Sequence, residues 1–112
     1  MHYLLIIAHD DLFQPSESLV EAIQRWNSDM QAKGHREGGN PLRPASEATT
    51  IRVRNGKAQR SQGPFSDARE QMCAYELITC ATAEQAIALA ESHPMAAAAT
   101  IEVRPVWSDL AA

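Results

Sequence analysis

Tyr3 to Ala8 is an unbroken apolar run near the start of the chain, closed by His9-Asp10-Asp11. The run is short and rich in Leu and Ile. It predicts a central β-strand with apolar side chains on both faces, because successive side chains of a strand point to opposite sides. A sheet built around such a strand has to be covered twice. Few folds of modest size can do that within one chain.

One cover is supplied by helices. Pro15 and Ser16 announce the first, with Ser16 or Ser18 as N-cap and Glu21 placed to complete a capping box. Leu19, Ile23, Trp26 and Met30 recur at helical spacing and make one apolar stripe, and Gly34 after Lys33 fits a glycine C-cap. The first helix is expected over about 16–33. His35 to Pro44 is rich in Gly and Pro and has room for an irregular strand around Gly38 to Leu42. Thr49 to Arg54 and Lys57 to Ser61 flank Asn55-Gly56, the residue pair of a type I′ hairpin turn. Gly63-Pro64 breaks the chain into a loop. Met72 to Cys80 then reads as a strand, with Cys73, Tyr75, Leu77 and Thr79 on one face and Ala74, Glu76 and Ile78 on the other. Thr82 and Gln85 mark a second capping box for a helix over 82–92, with Ala83, Ala86, Ile87 and Ala90 as its buried stripe. Pro94 stops it, and Ala98 to Val106 forms the last strand.

The order is β-α-β-β(-β)-β-α-β, two βα units around a hairpin. It predicts an α+β fold, a ferredoxin-like βαββαβ sandwich with an extra hairpin and both helices on one sheet face. The other face would be wet or paired. Stacking two such sheets face to face, as a homodimer, is the expected solution.

The length of 112 residues fits one domain over 1–112. Such a chain hides about two-thirds of its unfolded surface, enough for a modest core. Its net charge of −4 repels phosphate backbones, so nucleic acid is not an expected partner. The arginines between Arg43 and Arg60 are spread over strand-like sequence and read as a solvated sheet face. Cys73 and Cys80 would lie about 23 Å apart along one strand, whereas a disulfide needs Cα atoms within about 7 Å. Both are expected as small hydrophobes. No basic n-region precedes the first strand, and no apolar run approaches the ~18 residues of a membrane span. A soluble cytoplasmic protein away from membranes is the expectation.

The second half carries a more specific pattern. Gln62-Gly63-Pro64-Phe65 is followed by Arg69-Glu70, a strand, an Ala-rich helix, His93-Pro94 and Glu102-Val103-Arg104-Pro105. In this order and spacing the chain resembles the YCII-related family, in its DGPF-motif branch. The resemblance runs from Tyr3 to Val106. It implies a dimeric α/β barrel made of two ferredoxin-like units. Gln62 stands where the motif has Asp; it can hydrogen-bond but cannot be a carboxylate base. The His–Asp pair credited to some YCII-like proteins has no counterpart, since Glu17 to Trp26 contains no His and the pre-proline position is His93.

The candidate catalytic residues are His9 and His93. His93 ends the second helix, where the helix C-terminus favours the charged imidazole, and its simplest role is a surface cap. His9 follows the first strand, where strand ends border pockets. Asp10, Gln62, Phe65, Glu70 and Arg104 are candidate ligand contacts. Of these, Glu70 and Arg104 are expected to pair and order the loop after Gln62, and Phe65 to plug a gap beneath it. Trp26 and Met30 read as core. Trp107 could cap the barrel or meet a partner chain. No metal-ligating spacing, nucleotide-binding glycine loop or Gly-x-Ser-x-Gly elbow occurs, so no metal and no cofactor are expected. The expected function is a cofactor-free small-molecule-binding or accessory protein. Two alternatives stand beside it. One is a small acid–base enzyme, lyase- or isomerase-like, using a pocket histidine. The other is a regulatory partner of a transcription factor, binding protein rather than DNA.

Overall fold

The computed structural model describes residues 1–110; residues 111 and 112, the end of the domain expected over 1–112, lie outside the described residues. The apolar run forms β1 (His2–His9), which lies between β5 (Gln71–Thr79) and β6 (Thr100–Pro105). Strand β2 (Arg36–Pro41) adds to the far edge of β5, giving the order β2-β5-β1-β6 with every neighbouring pair antiparallel. The helices are α1 (Glu17–Ala32), α2 (Ala83–Ser92) and the single turn α3 (Met95–Ala98). This is an α+β architecture compatible with the ferredoxin-like expectation. Among the described residues no helix is long and apolar enough to cross a membrane.

Local chemistry accounts for the element ends. Ser16 Oγ accepts the Leu19 amide at 3.2 Å and starts α1. Lys33 and Gly34 end it, with Gly34 in the left-handed region at φ +77°. Thr82 Oγ1 accepts the Gln85 amide at 3.1 Å, while Gln85 Oε1 reaches back to the Ala81 amide at 2.8 Å. The capping box expected there thus closes one residue further out. The last strand, expected from Ala98, begins at Thr100; Ala98 instead closes the turn α3, because Pro94 sits in helical conformation and begins a new turn.

The core lies between the helices and one sheet face. Tyr3, Leu5 and Ile78 meet Trp26 and Met30 of α1 and Ala86 and Ala90 of α2. A fully buried Leu or Ile contributes about 1.5–3 kcal/mol here. Ala83 and Ile87, expected in the α2 stripe, are exposed; Leu89 takes their place against the core. The double burial expected of β1 is met on one side only. Tyr3, Leu5 and Ile7 are buried, whereas Leu4 and Ile6 are part-exposed in the single chain. Register places Leu77 and Tyr75 of β5 beside them, so the uncovered face is apolar at its centre.

The hairpin does not join the main sheet. β3 (Thr49–Arg54) and β4 (Lys57–Gln62) form a separate two-stranded sheet around Asn55 (φ 52°) and Gly56 (φ 75°), the positive angles that the turn requires. Every residue of β4 is exposed. At its base the Gly63 amide donates to the Ala48 carbonyl at 2.7 Å, and Gln62 Nε2 to the Ser46 carbonyl at 2.8 Å.

Candidate functional site

The two ends of the α1 stripe behave differently. Trp26 and Met30 are buried against the sheet, while Ile23 and Leu19, one and two turns earlier, are only part-buried. They border a cavity of about 520 Å³ between α1 and the sheet. Two bulges shape its other walls. One falls between Ile7 and Ala8 of β1 opposite β5, next to His9. The other falls between Arg36 and Gly38 of β2 and sets Arg36 on the helix-facing side, opposite Ile78.

An ion pair lies on that side. Arg36 Nε donates to Glu76 Oε2 at 2.6 Å, and a terminal guanidinium nitrogen donates to the Gly39 carbonyl at 3.0 Å. Both side chains are largely buried. Burial raises the Glu76 carboxyl above its ordinary range, and the hydrogen bond and charge of Arg36 pull it back down. Gly39 is required where it is: a Cβ there would collide with the Glu76 carboxylate and the Tyr75 carbonyl oxygen.

His93 is the second group. It leaves α2 in extended conformation (φ −69°, ψ 132°), which turns its ring inward against Trp26, with ring centroids 4.5 Å apart. The surface cap expected from sequence is therefore corrected: His93 is 2% exposed. Its charge state is corrected too. Burial, with a smaller push from Arg36, lowers its pKa to about 4, so the ring is neutral at pH 7. The Met95 amide donates to Nδ1 at 3.0 Å, and the ring proton therefore sits on Nε2. Trp26 Nε1, for its part, donates to Ser92 Oγ at 2.9 Å.

Two buried side-chain atoms among the described residues have no hydrogen-bond partner, His93 Nε2 and Asn27 Oδ1. Both residues line this cavity. Buried polar atoms are nearly always satisfied, so two orphans on residues lining one cavity mark it out.

His9 reaches the same cavity from the end of β1. Its Nδ1 lies 2.7 Å from the Asp10 carbonyl, which can only accept, so Nδ1 donates and, in the neutral ring, Nε2 is the acceptor. Its ring stacks on Phe13 at 4.6 Å. Asp10 points elsewhere: Oδ1 accepts the Leu12 amide at 3.0 Å and Oδ2 lies 3.8 Å from Arg69. With His9 it lines a neighbouring hollow of about 610 Å³.

The other candidates do not converge on the α1 cavity. Glu70 is hydrogen-bonded by Thr100 Oγ1, and Arg104 lies 3.5 Å from Glu102, so the expected Glu70–Arg104 pair is replaced by separate contacts. Register puts Arg104 beside Leu4 on the uncovered sheet face. Gln62 is occupied at the hairpin base. Phe65 does not plug its loop; it is 81% exposed at the rim of a third hollow. Cys73 and Cys80 are free thiols, Cys80 buried and Cys73 part-buried. Among the described residues no group of three or more His, Cys, Asp or Glu side chains could hold a metal ion.

Arg36, Glu76 and Asn27 were not among the candidates. Glu76 had a visible signal, a lone carboxylate on the strand face shared by Ala74 and Ile78. Asn27 and Arg36 had none, lying beside an apolar stripe and in a Gly-rich segment. The family model described as the YCII-related domain matches residues 1–108. No curated protein matches the chain.

Proposed function

The chain belongs to the YCII-related domain family, and from that premise we propose that it is a cofactor-free small-molecule-binding protein whose site is the cavity between α1 and the sheet. The observation that carries this reading is the pair of unsatisfied buried atoms, His93 Nε2 and Asn27 Oδ1, on two residues that line one cavity. The cavity volume of about 520 Å³ lies within the roughly 300–1,000 Å³ usual for ligand sites. Apolar walls with a few convergent polar atoms are also the usual composition of such sites. The expected result of methyl NMR with small uncharged aromatic fragments is that shifts concentrate on Ile7, Ile23 and Met95. Ile23→Trp, which fills the cavity, abolishes them. Shifts confined to exposed side chains such as Phe65 and Trp107, and unchanged in Ile23→Trp, overturn the reading.

The protein acts as a DGPF-branch homodimer, an α/β barrel closed by stacking the uncovered sheet faces. Leu4, Ile6, Tyr75 and Leu77 support this, since an apolar sheet centre is poorly placed against water. Light scattering at micromolar concentration is expected to give twice the 12.3 kDa chain mass. Ile6→Glu with Leu77→Glu is expected to return it to the monomer value. A wild-type monomer removes the barrel. Two free thiols suit a reducing compartment, the cytoplasm.

A second reading, an acid–base enzyme of isomerase or lyase type, has one observation in its favour. His9 and His93 line the same cavity in opposite tautomers. His9 Nε2 can accept a proton; His93 Nε2–H can only donate a hydrogen bond to a developing oxyanion. In that reading His9 is the base. His93 is not.

A further inference from the structure

The charges and hydrogen-bonding atoms of the α1 cavity constrain what it can hold, and this inference rests on the pocket reading above. The fixed charges among its lining side chains are Arg36 and Glu76, and they already neutralise one another at 2.6 Å. An anionic ligand would compete with Glu76 for Arg36, and a cationic one would compete with Arg36 for Glu76. Either would bury an unpaired charge. The buried atoms without a partner on its lining residues are one donor, His93 Nε2–H, and one acceptor, Asn27 Oδ1; His9, with Nε2 as its accepting nitrogen, and the exposed amides of Gln24 and Asn40 complete the polar lining. Around them Ile7, Leu19, Ile23 and Phe13 supply apolar walls.

We propose that the cavity selects small uncharged ligands whose apolar body carries an acceptor next to a donor, such as a carboxamide or lactam edge. His93 Nε2–H donates to the ligand carbonyl, and Asn27 Oδ1 receives the ligand N–H. A ligand with only the carbonyl leaves Asn27 orphaned as before and forgoes one hydrogen bond. A carboxylate of the same shape offers no donor and brings a charge with no free partner.

Three matched probes test this: benzamide, acetophenone and benzoate. Each is titrated into the full chain with ¹⁵N-labelled histidine and methyl-labelled Ile and Met. Benzamide is expected to move the His93 Nε2–H resonance together with Ile23 and Met95, and to bind at least about tenfold more tightly than either analogue. Asn27→Leu is expected to bring benzamide down to the level of acetophenone while leaving acetophenone unchanged. His93→Phe is expected to remove the preference for a carbonyl ligand; since it also alters packing on Trp26, Asn27→Leu serves as the independent variant. Benzoate binding as tightly as benzamide overturns the proposal, as does benzamide binding that Asn27→Leu does not weaken. All three probes moving the cavity methyls equally, with His93 unmoved, overturns the ligand class but leaves the pocket standing. No probe moving Ile7, Ile23 or Met95 overturns both.

Discussion

Arg36→Met is expected to destabilise the fold by about 3–5 kcal/mol, the usual cost of leaving one partner of a buried ion pair without the other. Arg36 Nε holds Glu76 Oε2 at 2.6 Å, and both side chains are shielded from water. Removing the guanidinium leaves a carboxylate that only protonation can relieve. Arg36 is the group that lowers the Glu76 pKa against burial, so its loss lets that pKa rise further. The sign of the pH effect follows. A carboxyl whose pKa is higher in the folded state binds its proton more tightly there, so acid favours folding. The penalty of Arg36→Met should therefore be largest at neutral pH and shrink on acidification. Glu76→Gln in the same background should recover much of the loss, because it keeps the shape and removes the charge. Urea unfolding of the wild type and the two variants at pH 7 and at acidic pH measures this. A penalty that is unchanged by pH and not relieved by Glu76→Gln would contradict it.

The second large effect has the opposite sign and belongs to His93. Its pKa of about 4 in the fold lies below the ordinary 6.5, so the unfolded chain takes up a proton that the native state refuses. That contribution is fully present above pH 6.5. It declines as pH falls toward 4 and is gone below, a loss of about 3 kcal/mol across the window. Other carboxylates titrate in the same range, so the informative quantity is the difference between the wild type and His93→Phe. The variant is expected to be less stable at neutral pH, having lost the Met95 amide contact. It should nonetheless lack most of the decline between pH 6.5 and 4. Parallel pH profiles for the two proteins would show that His93 is not the titrating group.

Features decided by near neighbours in the chain were legible before the fold was known. The Asn55-Gly56 turn, the Ser16 and Thr82 caps, and the facing of Glu76 with Ile78 all depend on residues a few positions apart. The cavity was not legible in the same way. Arg36 and Glu76 meet because a bulge between Arg36 and Gly38 shifts the register of β2, and nothing in the segment Arg36 to Pro41 announces that shift. His93 follows the same logic. A helix C-terminus taken alone favours its charge, but burial against Trp26 outweighs the dipole. Phe65 shows the reverse error. An apolar side chain after a Gly-Pro break was expected to find cover, and in the single chain it finds none. Whether helices or strands form is a local matter; where a polar atom ends up unsatisfied depends on contacts across the fold.

The detached hairpin has an electrical consequence. Arg52, Arg54, Lys57 and Arg60 stand on it with no acidic residue among them, so of the net charge of −4 the remainder of the chain carries −8. The molecule is thus a strong permanent dipole, positive at the arm and negative over the body. In dilute salt the arm of one molecule is drawn to the body of the next. That attraction fades once the ionic strength brings the screening length to about 10 Å, near 0.1 M. Solubility and elution behaviour will then follow this separation of charge rather than the isoelectric point.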